Sequence, residues 1–348
     1  MSGRVKGDEQ VLSVRDVGIR HGDVGLVSGV SFDLAPGERL GVIGESGSGK
    51  TLTALAAIGL LPQALAASGR VLIKGQDLYG ITERQRCLLR GDAISMIFQE
   101  PMTALNPTMR VGRQIEEAIR VHRDVGRAAA RARAVELLER VEFTDPGRQA
   151  RAYPHELSGG QQQRVMLAMA VACDPAVILA DEPTTALDVT VQGQVLALMS
   201  RLVAEESSAL VLISHDLAVV SGMCERIMVM YGGRVVESGS TRQVLTAPRH
   251  PYTAALIAIS STLTLDSDRS RAVLPVIAGQ VPAAGRFPAG CPFRNRCDRA
   301  TAECSSMPAL TSTASSASAS ASASAGLEGH LFACYHPVTS VPQATEAP

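Results

Sequence analysis

The stretch Gly44–Thr51 reads GESGSGKT and stands between the apolar run Leu40–Ile43 and the helix-forming run Leu52–Ala56. Strand, glycine-rich turn and helix in that order fit the phosphate-binding loop GxxxxGK[ST]. Glycines let the backbone fold tightly, so successive N–H groups and the following helix N-terminus face one anionic concavity. The candidate phosphate-binding residues are Gly44, Glu45, Ser46, Gly47, Ser48, Gly49, Lys50, Thr51 and Leu52. Lys50 is expected to reach the β- and γ-phosphates of a nucleotide, and the Thr51 hydroxyl to ligate Mg²⁺.

A chain of 348 residues has ample length for a core and room for one large domain or two modest ones. Its net charge of −1 gives no overall basic field, which argues against nucleic acid as the main partner. Only three of the 33 basic residues are Lys (Lys6, Lys50 and Lys74), and one of them falls in the phosphate loop. The first ten residues, MSGRVKGDEQ, lack the apolar core of a secretory signal. The most apolar predicted helix, Thr53–Ala67, is interrupted at Pro62 and is too short for a bilayer, which takes about 20 apolar residues. The chain is therefore expected on the cytoplasmic side, with any membrane spans supplied by a partner.

Alternation predicts strands at Val11–Ile19 and Val30–Leu34, with turns at His21–Asp23 and Pro36–Glu38. Further strands are expected at Gly69–Ile73 and Ile94–Phe98, with a surface helix at Thr82–Arg90 between them. Three- and four-residue spacing in Gln114–Arg120 and Ala128–Val141 predicts a helical region, about 100–165. Val177–Ala180 and Ala209–Ile213 suit central parallel strands, joined by the helix Val191–Glu205. Ile227–Met230 and Arg234–Glu237 form a hairpin. A nucleotide domain, 1–247, is expected to close near Ala247, followed by a tail, 248–348. The run Thr311–Ala325 has no side chain larger than Thr and is predicted to be a disordered loop.

Asp181 and Glu182 follow an apolar strand about 130 residues after the phosphate loop. The first is placed to hold Mg²⁺ and the second to orient and polarise an attacking water. His215, at the end of the next strand, is placed to donate to the γ-phosphate. Leu157–Gln161 reads LSGGQ, so Ser158, Gly159, Gly160 and Gln161 open a second helix N-terminus. On its own that stretch is also an ordinary serine cap.

The stretch LSGGQQQR resembles the signature of ABC ATPases, in which it closes over the nucleotide held by a facing subunit. The resemblance implies an α/β P-loop fold of ABC type: a parallel β core, an antiparallel β region and a helical subdomain. It further matches Gln99 to the lid glutamine at the Mg²⁺ ion and attacking water, and Asp181–Glu182 to the second acidic motif. Asp188 would belong to the loop across the dimer, and His215 would be the switch histidine. ATP and Mg²⁺ are the implied cofactors, and Glu182, His215, Lys50 and Gln99 the implied catalytic set. Where many relatives stack an aromatic on adenine, this chain offers only His21.

FQEPMTALNP, YPHELSGG, HPYT and LPVIAGQVPAAGRFPAGCPFRNRCDRATAEC resemble the ATPase subunits of oligopeptide and dipeptide importers, over about residues 11 to 337. The implied partners are a second ABC ATPase subunit, expected to be a paralogue, two membrane permease subunits, and an extracytoplasmic peptide-binding protein. The segment after Gln99, including Met102–Pro107, would meet the permease at the inner membrane face. Import of nickel or another small solute is the nearest alternative. A soluble ABC ATPase acting on nucleic acid or ribosomes is the alternative of another class.

Cys87, Cys173 and Cys224 are expected as small buried apolar residues. Cys291, Cys297, Cys304 and Cys334 cluster in the tail with five, six and 29 intervening residues. A cytoplasmic chain is poor ground for two disulfides, so four thiolates suggest a metal site, either an iron–sulfur cluster or Zn²⁺. The tail is taken to lack a core of its own, so that a metal would supply folding energy. A longer flexible loop costs only about 0.6 kcal/mol per doubling, so the inserted run leaves Cys334 within reach. Resemblance to the peptide-importer ATPases, some of which carry a 4Fe-4S cluster here, favours iron–sulfur, with zinc second.

Overall fold

The computed structural model describes residues 10–99, 104–185, 187–264, 276–312 and 329–339. Two sheets form. An antiparallel sheet has β2 (Val24–Leu34) beside β1 (Leu12–His21), then β4 (Ala66–Ile73) and β5 (Gln76–Asp77). The larger sheet holds β3 (Arg39–Ile43), β6 (Ile94–Ile97), β7 (Val177–Asp181), β8 (Ala209–Ile213), β9 (Arg226–Tyr231), β10 (Arg234–Ser240), β11 (Thr311–Ser312) and β12 (Leu331–Phe332). Its order is β11-β12-β10-β9-β3-β8-β7-β6. The five strands β9, β3, β8, β7 and β6 are parallel, while β10, β12 and β11 add antiparallel to one edge.

The parallel strands are buried on both faces, and their period of two assigns alternate residues to two cores. Val177 and Leu179, Ala209, Val211 and Ile213, and Met228 and Met230 face the antiparallel sheet. Between the sheets lies the helix Lys50–Ile58, which buries Ala54, Ala56, Ala57 and Ile58. On the other face Ile178, Ala180, Leu210, Leu212, Ile227 and Val229 pack with residues of the helices Val111–His122, Arg127–Arg140, Gly159–Ala170 and Val189–Glu205.

Several expectations need correction. The helix predicted to run to Ala67 stops at Ile58, because Gly59 adopts a left-handed conformation and caps it. Ala66 and Ala67 instead open β4, hydrogen-bonded against β1. Cys173 and Cys224 are buried, but Cys87 is exposed on a surface helix. Thr311 and Ser312, expected as the start of a disordered run, pair with Phe332 and Leu331 in β11. The rest of that run lies outside the described residues.

The tail is not coreless either. Cys291, Phe293 and Cys304 join Tyr231 and Tyr252 in the same apolar cluster as the helices. Glu237, fully buried on β10, accepts from the Arg249 and His250 amides at 2.7 and 2.8 Å and pairs with His330 at 2.6 Å. These contacts stitch the helix Pro251–Thr264 and β12 to the main sheet.

Candidate active site

Register alone brings the candidate residues to one edge. Val42 lies beside Ile213, Ile213 beside Asp181, and Ala180 beside Ile97, so β3, β8, β7 and β6 end together. Beyond those ends come the glycine-rich loop, His215, Asp181–Glu182 and Gln99. The carboxyl edge of a parallel sheet is where open α/β folds bind ligands, since loops there enclose a crevice at the helix N-termini.

The loop is fixed by crowding. Gly44 has φ 153°, and a Cβ there would stand 2.2 Å from the Met230 carbonyl, so only glycine fits. Gly49, at φ 95°, precedes the helix, and its carbonyl accepts from the Thr53 amide at 2.9 Å. Lys50 is buried, and its ammonium donates to the Gly44 and Glu45 carbonyls at 2.7 and 2.9 Å, inside the loop. Burial pulls its pKa down, while Glu182, Asp181 and Glu45 act in the opposite direction. A cation held in this concavity marks where anionic oxygens are accepted.

Thr51 Oγ1 donates to Asp181 Oδ1 at 3.2 Å. Asp181 is buried, and desolvation pushes its pKa up, partly offset by the Thr51 bond. A hydroxyl and a buried carboxylate in contact are a pair of hard oxygen donors of the kind Mg²⁺ takes. Glu182 is the node of the site. Its Oε2 accepts from Gln99 Nε2 at 3.1 Å and Thr185 Oγ1 at 3.1 Å, and lies 3.5 Å from His215 Nδ1. Glu182 has φ 45°, a left-handed conformation costly for a residue with a Cβ, fixed by its amide bonding to the Ile213 carbonyl at 3.0 Å.

Other candidates stand apart from this group. Ser158 caps the helix Gly159–Ala170, its hydroxyl accepting from the Gln161 amide while Gln161 reaches back to the Ser158 amide. A Cβ on Gly160 would meet Val191 at 2.5 Å, so glycine there allows close packing against the helix Val189–Glu205. Asp188 caps that helix through the Val191 amide at 3.0 Å. Ser158, Gly159 and Asp188 are exposed. His21 is exposed at the end of β1, opposite Val24.

Cys291, Cys297, Cys304 and Cys334 line one small cavity with His250, Pro251 and Phe293. Burial pushes the Cys291 and Cys297 thiols up and Cys334 to about 11. His250 Nδ1 accepts from the Tyr252 amide at 3.1 Å, leaving Nε2 buried without a partner. The same burial lowers its pKa to about 3, so the ring is neutral. Among the described residues no group of three or more His, Cys, Asp or Glu is gathered to hold a metal ion.

Besides Thr185, two residues that contact the phosphate loop from the tail escaped sequence reasoning. Tyr252, in the HPYT stretch, accepts from the Glu45 amide through its hydroxyl at 2.7 Å. Arg296, beside Cys297, pairs with the Glu45 carboxylate at 2.6 Å. Separations of 207 and 251 positions left no local pattern to find them by.

A family model described as ABC transporter matches residues 27–185. One described as the oligopeptide/dipeptide transporter C-terminal region matches 236–304. The chain is 46% identical over 294 residues to the probable D,D-dipeptide transport ATP-binding protein DdpD of Escherichia coli K12, covering 84% of this chain and 88% of that one. It is 41% identical over 334 residues to the oligopeptide transport ATP-binding protein OppD of the same organism, covering 95% and 94%. Among solved structures it resembles the ATP-binding cassette MJ0796 in a dimeric post-hydrolysis state with ADP and Pi. There the TM-score is 0.59 at 28% identity, over 66% of this chain and 99% of that one.

Proposed function

The chain belongs to the ABC transporter ATP-binding proteins of the oligopeptide/dipeptide importer family, and from that premise we propose how its residues energise peptide import by hydrolysing ATP. The observation that carries the reading is the convergence of Gln99, Thr185 and His215 on one Glu182 oxygen, at the edge where Thr51 meets Asp181. Lys50 exchanges its two carbonyl partners for the β- and γ-phosphate oxygens, and the loop amides hold the remaining phosphate charge. Thr51 and Asp181, with Gln99, hold Mg²⁺, which supplies charge neutralisation at the phosphates when bound. Glu182 orients the attacking water and takes its proton, and His215 donates to the charge that develops on the phosphoryl group. His21 is the candidate contact to adenine.

Ser158, Gly159, Gly160 and Gln161 complete the nucleotide site of a facing ATPase subunit, together with Asp188. What supports this is the exposure of Ser158, Gly159 and Asp188 and the dimeric form of MJ0796. The facing subunit is a paralogue, and the pair sits at the cytoplasmic membrane face under two permease subunits fed by an extracytoplasmic peptide-binding protein. No helix among the described residues is long and apolar enough to cross a membrane, which fits spans supplied by other chains. The segment Met102–Pro107, of which Met102 and Thr103 lie outside the described residues, meets the permease. The chain divides into a nucleotide domain, 1–247, and a tail, 248–348.

The four tail cysteines hold a 4Fe-4S cluster in preference to zinc. Two observations support this. All four cysteines line one small cavity, as thiolates sharing one cluster must. The unpartnered His250 Nε2–H also lacks an acceptor, which a sulfur of the cluster would provide.

The test is hydrolysis by the full assembly of this chain, partner ATPase and permease in vesicles. Peptide-loaded binding protein should stimulate it severalfold, and Lys50→Ala should abolish it. Stimulation by a nickel-loaded receptor and by no peptide would overturn the peptide assignment.

A further inference from the structure

The phosphate loop carries an anomaly: Glu45 puts a carboxylate among groups that must hold a polyphosphate. Left alone, that charge would repel the ligand and compete for Lys50, since like charges at close range in a partly dry site weaken anion binding. The tail answers it. Arg296 Nη1 reaches Glu45 Oε2 at 2.6 Å and its Nη2 reaches Oε1 at 3.3 Å, a two-pronged pair in which the arginine side chain is only 6% exposed. Its remaining N–H groups go to the Tyr231 hydroxyl at 3.2 Å, the Ile277 carbonyl at 3.3 Å and the Ala278 carbonyl at 2.9 Å. All five donors are thus used, and the planar guanidinium is held in one orientation. Tyr252 fixes the Glu45 amide at the same time.

From this geometry we propose that Arg296 is a positioning residue for nucleotide binding: it neutralises Glu45 and holds it away from the phosphate concavity, making ATP affinity depend on a tail residue. The inference rests on the reading of Gly44–Thr51 as the ATP loop. It assigns the segment around Cys297 a role in the nucleotide site that needs no direct contact with ATP. A lysine would supply the charge without the two-pronged pairing, so Arg296→Lys should recover only part of the effect.

The experiment is a double-mutant cycle on the full chain in its assembly, reading ATP affinity by titration and KM against kcat. Arg296→Met, close in length and uncharged, should raise the ATP Kd and KM about tenfold with kcat little changed. Glu45→Gln should tighten ATP binding two- to fivefold, because Arg296 is then an unpaired cation beside the loop. The double variant Glu45→Gln/Arg296→Met should return to within about threefold of wild type. A merely structural role for Arg296 predicts instead that both single variants weaken binding and that the double is no better than Arg296→Met, and that pattern would overturn the proposal. Wild-type affinity in a folded Arg296→Met chain would overturn it as well. Failure of the wild-type chain to bind ATP at all would overturn both the proposal and the loop assignment beneath it.

Discussion

Glu182 shows how one side chain is prepared by three others. Gln99, Thr185 and His215 come from separate loops, and each stands near the same carboxylate oxygen. A carboxylate so held keeps its lone pairs directed without reorganisation, which suits a group that must orient a water. Glu182→Gln preserves size and most hydrogen bonds but removes the base. Hydrolysis should therefore fall by a factor on the order of 10² to 10⁴ while ATP binding persists. Parallel nucleotide-binding and single-turnover measurements check this, and equal loss of both would place Glu182 in binding instead. At this scale the identities of Lys50, Thr51, Asp181, Glu182 and His215 were legible in the sequence, because each follows an apolar strand. Thr185 was not singled out, since its role depends on where the Glu182 carboxylate ends up.

At the scale of elements, the strands and helices follow from period and punctuation. The exceptions sit where a pairing partner lay far along the chain. Ala66 and Ala67 extend as strand because β1 offers them a ladder, and the left-handed Gly59 has already ended the helix. Leu331 and Phe332 become strand because β10 exposes an edge, and Phe332 buries its ring there. The tail held by this edge is where the metal prediction belongs. Anaerobically purified chain should carry about four iron and four acid-labile sulfide per molecule, with visible absorption that Cys297→Ser abolishes. One zinc per chain and no sulfide would overturn the cluster. Phe293, Cys291 and Cys304 pack into the main core, so the tail has apolar anchorage besides any metal, and the variant should keep the nucleotide domain folded.

For the whole molecule, the two cores on either side of the parallel sheet leave the residues proposed for the two halves of a nucleotide site at separate places on one chain. Ser158 is occupied with capping its own helix, whereas Lys50, Asp181 and Glu182 gather at the sheet edge. In the proposed pairing of two ATPase subunits, the Ser158 stretch of one would meet the phosphate loop of the other. Glu182→Gln chain mixed with its paralogue should form a complex of doubled mass when ATP is added. Ser158→Arg should abolish that pairing without lowering ATP affinity of the single chain. Sedimentation or light scattering reads the mass, and ATP-independent mass in every mixture would overturn the sandwich.

The sequence by itself determined the nucleotide loop and the strand ends that carry its partners, because each is a local pattern of residue types. It also determined the helices Val111–His122, Arg127–Arg140 and Val189–Glu205, through spacing that the backbone period turns into a buried face, but not Pro251–Thr264. Only the tertiary structure decided that Tyr252 and Arg296 meet Glu45, that Glu237 anchors the tail, and that the cysteines share a cavity with His250, whose Nε2 lacks a partner. The physical reason is range. Hydrogen bonding within a turn or along a helix is written in neighbouring residues, whereas a charge pair across 251 positions exists only once the sheet has brought its two ends together.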